Sequence, residues 1–327
     1  MTRGSMQQST VVAFLLFVAS QLSVQQGAIG STQAFPIVVG GQRGWQHDEG
    51  DSSGYFQTFD ALDLPGDLRR ARKLHVFLPR SYGQNSTRRY PVAYFNDGTR
   101  TFFADGGGPT WDLASVLSDL YAQRTIPEMI VVGINPTDRD LEYTHASVPT
   151  RETCCELESY ASYVAHQLKP FIDAQYRTRR SPSETAILGS SHGGLAAFAM
   201  AALYPDVFGM AGCLSSSFWV DMTPFGPDTA LASSTLVNNL AVKLHDPAKP
   251  RLWLDWGLVR TGGNHNALIE AHATLRSKEL AEILTTDFGF RFGETIQTLE
   301  DPRGEHHEAS WSRRLHRTLP WLFRGVR

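Results

Sequence analysis

Gly189-Ser190-Ser191-His192-Gly193 sets a serine between two glycines in the pattern G-x-S-x-G. An apolar run, Ala186-Ile187-Leu188, leads into it, and Leu195-Ala196-Ala197-Phe198-Ala199-Met200 opens a helix behind it. The motif therefore falls at a strand-to-helix turn, the place where a nucleophilic serine is presented. Such a turn strains the backbone of its central residue and needs small neighbours, which Gly189 and Gly193 supply. The helix behind Ser191 would aim its positive end at a developing oxyanion, with the His192 N–H as one donor. The chemistry this suits is attack by Ser191 on a carbonyl carbon.

A serine hydroxyl is a poor nucleophile at neutral pH and needs a base. Seven histidines lie after Ser191. His192 is inside the turn and cannot swing back, and His245, His265, His272 and His316 have no special placement. His306 and His307 follow the last strand pattern and precede the last helix, where the chain order Ser, acid, His puts the base. Adjacent histidines could also ligate a metal, but no Asp, Cys or His set at ligand spacing accompanies them, so a base is expected, with no metal and no cofactor. The acid should follow the strand at Leu252–Leu254, and two carboxylates compete: Asp255 at its end, and Glu270 beyond the loop Gly262-Gly263-Asn264-His265-Asn266. A second oxyanion donor should come from Asn96-Asp97-Gly98-Thr99, where Gly98 lets the backbone approach a ligand and Gly98 or Thr99 offers an N–H. Tyr143, Trp219 and the irregular stretch 218–250 are expected to shape the pocket. Arg100 and Arg139 would favour an anionic substrate unless ion pairs claim them.

Around these residues the chain alternates short apolar runs with helical patterns. Strands are expected at Leu74–Leu78, Pro91–Phe95, Met129–Gly133, Ala186–Leu188, Met210–Leu214, Leu252–Leu254 and Thr295–Leu299. Helices are expected from about Trp111 to Ala122, Glu156 to Tyr176, after Gly193-Gly194, Ala267 to Leu284, and Ala309 to Phe323 with a break at Pro320. This alternation predicts an α/β fold with a mostly parallel sheet covered on both faces. Residues 55–327 read as one domain with an insertion at about 218–250 over the active site. Residues 29–54 read as an irregular arm.

Residues 1–28 have the layout of a secretory signal peptide: Arg3, the apolar run Val11–Ala19, then small residues at Ser20, Gly27 and Ala28. A secreted or periplasmic protein is expected, with no stable membrane insertion after signal removal. The 327 residues carry a formal net charge of -3, which excludes the basic footprint of a nucleic-acid binder. Three cysteines, Cys154, Cys155 and Cys213, leave at least one thiol without an intrachain partner.

From about Arg72 to Trp321 the chain resembles the Putative esterase family of α/β-hydrolases, which includes enterochelin esterases, feruloyl and acetyl-xylan esterases, S-formylglutathione hydrolase and mycolyltransferases. Several ordered blocks carry the resemblance: Val76-Phe77-Leu78-Pro79 with Tyr82; Tyr90-Pro91-Val92-Ala93-Tyr94 with Asp97-Gly98; Arg139 with Glu142-Tyr143-Thr144; and Leu168 to Asp173 with Tyr176-Arg177-Thr178. Tyr204 to Phe208, Ser215 to Trp219, and Gly304 to Trp311 continue it. The resemblance implies an α/β-hydrolase fold and a serine esterase acting on a small-molecule or glycan-linked ester. It carries the nucleophile to Ser191 and the histidine to His306, with His307 where Asn is common. Where many relatives place an acid after Asp255-Trp256-Gly257, Arg260 stands. The Gly-Gly-Asn loop before Glu270 resembles that of the mycolyltransferases, which favours Glu270 over Asp255. Acyl transfer to a sugar or lipid, and a non-catalytic binding protein on the same fold, are the alternatives; intact Ser191 and His306 argue against the second.

Overall fold

The computed structural model describes Met1 and residues 34–327, apart from positions 67, 69, 105, 106, 148–153, 223–229, 246–248, 262 and 264. The expected signal peptide lies outside the described residues.

Ten strands form one sheet: β1 (Phe35–Val39), β2 (Gln42–His47), β3 (Gly54–Leu62), β4 (Arg72–Pro79), β5 (Val92–Asn96), β6 (Ile130–Ile134), β7 (Thr185–Ser190), β8 (Met210–Leu214), β9 (Arg251–Gly257) and β10 (Ile296–Asp301). Their order is β1-β2-β3-β4-β6-β5-β7-β8-β9-β10. The strands from β6 to β10 run parallel, and β1 to β4 join antiparallel at one side. This is the expected α/β-hydrolase architecture, a mostly parallel sheet with helices on both faces.

Strands β5, β6, β7 and β8 are buried at every residue, as a sheet covered on both sides requires. Their period of two sorts side chains between two cores. Tyr94, Val132 and Ile187 enter one core with α4 (Leu157–Tyr163), α6 (His192–Leu203) and α7 (Ala267–Thr286). Phe95, Val131 and Leu188 enter the other with α1 (Gly98–Phe102), α2 (Leu113–Ala122) and α8 (Glu308–Leu322). The chain goes from β5 to β6 on one side and returns to β7 on the other. That reversal opens a crevice at the carboxyl ends of β5 and β7, the standard ligand position in such sheets.

Four local readings change. The arm at 29–54 contains β1 and β2, a hairpin closed by Gly40-Gly41 at φ +56° and +78°. The helix expected from Glu156 to Tyr176 is α4, a π turn at Val164–Leu168, and α5 (Lys169–Gln175). The wider turn ends two residues before Pro170, which has no N–H to donate to the carbonyl four residues back. The last helix runs through Pro320 to Leu322. The stretch 218–250 buries Leu231, Leu236, Leu240 and Leu244 in the first core, and none of its described residues lines the cavity that Ser191 borders. Cys213 is a buried free thiol. No helix among the described residues is long and apolar enough to cross a membrane.

The short helix α3 (Arg139–Tyr143) is fixed to β4 by a buried ion pair. Arg72 donates to Glu142 at 2.9 and 3.3 Å, and both side chains are fully buried. The Arg72 guanidinium also lies 4.5 Å from the Tyr163 ring centroid. Glu142→Ala should strand this cation and cost about 3–5 kcal/mol of stability, read from the urea unfolding midpoint.

Candidate active site

Ser191 sits at the N-cap of α6 with φ 56° and ψ -126°, a conformation few side-chain-bearing residues adopt. It persists because neighbours over-determine it. The Ser191 N–H donates to Leu214 O at 3.0 Å, and the Ser191 carbonyl accepts from Ser217 N at 3.0 Å. Gly189 is sterically required: a Cβ there would lie 2.3 Å from the Gly193 carbonyl oxygen. The Ser191 hydroxyl lies 3.3 Å from the Ser217 hydroxyl.

Ser191 and His306 border the same cavity, of about 540 Å³, together with Asp97, Thr99, Arg139 and His265. Glu270, in the first turn of α7, stands behind the histidines. Its Oε1 accepts a hydrogen bond from His265 Nδ1 at 2.9 Å and lies 3.1 Å from His306 Nδ1. The His306 contact is at ion-pair distance but lacks hydrogen-bond alignment. The two imidazole centroids lie 4.2 Å apart with the rings tilted by 32°, and the Trp311 ring meets His306 nearly at right angles at 5.1 Å. Burial pushes the Glu270 carboxyl up, but the imidazoles outweigh it and hold the group at about 2. Burial pushes His306 down and Glu270 pulls it back, leaving it below the ordinary value. His265, Glu270 and His306 are also the described trio that could hold a metal ion, their donor atoms within 4.8 Å of one another.

The competing carboxylate, Asp255, is elsewhere engaged. It is fully buried, accepts from Ser215 N at 3.1 Å and Trp253 Nε1 at 2.9 Å, and lies 3.3 Å from Arg314. These partners occupy both oxygens, and it does not border the cavity. His307 caps α8, its Nδ1 accepting from Ala309 N at 3.2 Å.

On the oxyanion side, His192 and Gly98 are the first residues of α6 and α1, so their N–H groups have no acceptor within their helices. Thr99 is different: its N–H donates to Asn135 Oδ1 at 2.6 Å, so it is not free to hold an oxyanion. Asn135 also donates to the Thr99 hydroxyl at 2.6 Å. That hydroxyl ends a hydrogen-bonded row running back through His75 (3.2 Å), Thr58 (2.8 Å) and His47 (2.9 Å) to Glu49. Glycine is required at 98 by the close approach of this loop to β6, since a Cβ there would lie 2.2 Å from Gly133 C.

Tyr143 and Trp219 do not line the cavity. Tyr143 is fully buried beneath it and accepts from Asp97 N at 3.0 Å. Trp219 is buried with its ring 5.9 Å from His192 and 6.2 Å from His265. Arg139 does border the cavity, but Asp97 holds it through two hydrogen bonds of 2.9 Å. The sequence reading missed His265 as a site residue. Its signal was an imidazole in a polar loop, five residues ahead of a candidate acid.

Residues 66–322 match the family described as Putative esterase. The uncharacterized protein YbbA of Bacillus subtilis (strain 168) is 25% identical over 257 residues, 77% of this chain and 92% of YbbA. An IroE-like serine hydrolase from Shewanella oneidensis superposes with a TM-score of 0.62 and 21% identity, over 82% of this chain and 80% of that one. A ferulic acid esterase superposes with a TM-score of 0.58 and 20% identity, over 84% and 99%.

Two stability experiments separate the carboxylates. Asp255→Ala should cost about 3–5 kcal/mol by stranding Arg314, read from the denaturant midpoint. Glu270 is depressed from an ordinary 4.5 to about 2. Its stabilisation is therefore complete above about pH 4.5 and lost as pH falls toward 2. Glu270→Gln should flatten the melting temperature's dependence on pH across that window.

Proposed function

The chain belongs to the Putative esterase family of carboxylic-ester hydrolases, and on that premise we propose that it hydrolyses esters through an acyl-enzyme formed on Ser191. The observation that carries the reading is the strained Ser191 at the head of α6, bordering one cavity with His306, which Glu270 backs.

In this mechanism His306 is neutral at working pH, as its lowered pKa favours. It takes the proton of Ser191 as the hydroxyl oxygen bonds to the ester carbonyl carbon. The negative charge moves to the carbonyl oxygen, where the His192 and Gly98 N–H groups receive it. When the tetrahedral intermediate collapses, the ester C–O bond breaks and His306 returns the proton to the departing alcohol. Water then repeats the sequence on the acyl-serine and releases the acid. Glu270 stabilises the imidazolium formed in each half-reaction. Asp97 neutralises Arg139 beside the cavity, whereas Arg100 borders the same cavity and, among the described residues, donates only to Pro109 O at 3.4 Å, which leaves a guanidinium there for an anionic group of the substrate. Trp111, Trp311 and Pro109 give the cavity an apolar wall suited to the organic part of a small-molecule or glycan-linked ester. The amino-terminal apolar run supports a secreted or periplasmic protein.

A fluorophosphonate probe should label the wild-type chain at Ser191 and leave Ser191→Ala unlabelled. Ser191→Ala and His306→Ala should each lower kcat on a p-nitrophenyl ester by about 10⁴–10⁶-fold, and Glu270→Gln by on the order of 10⁴-fold or less. Wild-type turnover by Ser191→Ala would falsify the assignment.

A further inference from the structure

Glu270 serves two imidazoles with one oxygen. His265 Nδ1 reaches Oε1 at 2.9 Å as a hydrogen bond, while His306 Nδ1 reaches the same atom at 3.1 Å out of alignment. From this geometry we infer that His265 is a positioning residue that competes with His306 for Glu270 and keeps the base neutral to lower pH. The inference deepens the proposed function and rests on His306 being the base.

The physical argument is one of shared charge. A carboxylate raises the basicity of an imidazole in proportion to the charge it can focus on the N–H. An oxygen already accepting from a second imidazole has less to give. His265 is well placed to hold that bond. It lies in the loop directly before α7, five residues from Glu270, and Asn266 beside it caps the helix by accepting from Leu268 N and Ile269 N at 3.1 and 3.0 Å. The Trp219 ring meets its face edge-on. Its own ring lies against His306 at 4.2 Å, so a charge on either imidazole opposes a charge on the other.

The charged and titratable groups around His306 are Glu270 of α7, His265, Arg139 of α3 and His192 of α6. Glu305, His307 and Glu308 stand on or beside its own loop. Glu270 favours its protonated form, while His265 and Arg139 oppose it. Removing His265 takes away both a competitor for Glu270 and a like charge. Both changes act in one direction, toward a more basic His306.

The test is a pH profile of kcat/KM for p-nitrophenyl ester hydrolysis by the full chain, wild type against His265→Ala and His265→Gln. A base must be neutral to act, so a more basic His306 moves the acidic limb to higher pH. The His265→Ala limb should rise by about one pH unit, a roughly tenfold loss of kcat/KM at a pH on that limb, with the plateau less affected. His265→Gln keeps a neutral N–H donor and should fall between the two; it also carries the test if the alanine variant does not fold. Titrating the His306 ring by NMR in isotope-labelled Ser191→Ala chains, with and without His265→Ala, should show the same rise without any turnover. An acidic limb and ring titration that stay put or fall when His265 is removed overturn the inference. Absence of fluorophosphonate labelling at Ser191 overturns the proposed function instead, and leaves the ring titration readable.

Discussion

The backbone at Ser191 is the constraint on which the rest of the molecule depends. A serine at φ 56° and ψ -126° is unfavourable in isolation by about 1–3 kcal/mol and must be held. It is held from β8, through Leu214 O and Ser217 N, and by the contact of Gly189 with the Gly193 backbone. The helix behind it is buried from Gly193 to Ala202, so α6 cannot shift to relieve the turn without exposing apolar surface on all sides. Strain at Ser191 is thus balanced by the packing of the central sheet.

Carboxylates withdrawn from solvent are sorted by the partner each meets. Glu142 faces Arg72, Asp255 faces Arg314, and Asp97 faces Arg139. A guanidinium does not release a proton in the working range, so these pairs fix geometry: α3 on β4, α8 on β9, and the β5 loop on α3. Glu270 faces imidazoles, which do exchange protons near neutrality. The difference in partner separates a structural carboxylate from one suited to chemistry, and it separates Asp255 from Glu270 more sharply than position along the chain does.

The central strands, the turn at Ser191 and the loop holding His306 were legible because each has a local signature: a continuous apolar run, a glycine-flanked serine, and paired histidines between a strand and a helix. The hairpin of β1 and β2 was not, since its strands are mostly exposed or half-buried and offer no apolar alternation. The role of Asp255 depends on Arg314, 59 positions later, and no local pattern announces such a pair. Tyr143 and Trp219 read as pocket residues because aromatics often line pockets, yet each is buried beside the cavity's inner wall. Thr99 read as an oxyanion donor until Asn135, just past the end of the neighbouring strand β6, claimed its N–H.

The row from Glu49 through His47, Thr58, His75 and Thr99 to Asn135 ties the amino-terminal ribbon to the loop that borders the cavity. Burial lowers His75 to about 3 and so keeps it uncharged near neutral pH, and this row transmits orientation rather than charge, each hydroxyl fixing which nitrogen of the neighbouring ring carries the proton. The loop that would cradle the oxyanion is thereby guyed to a strand far from the nucleophile in sequence. A minimal catalytic fragment cut to begin at β4 would keep every reacting group and still lose the stay that keeps this loop taut.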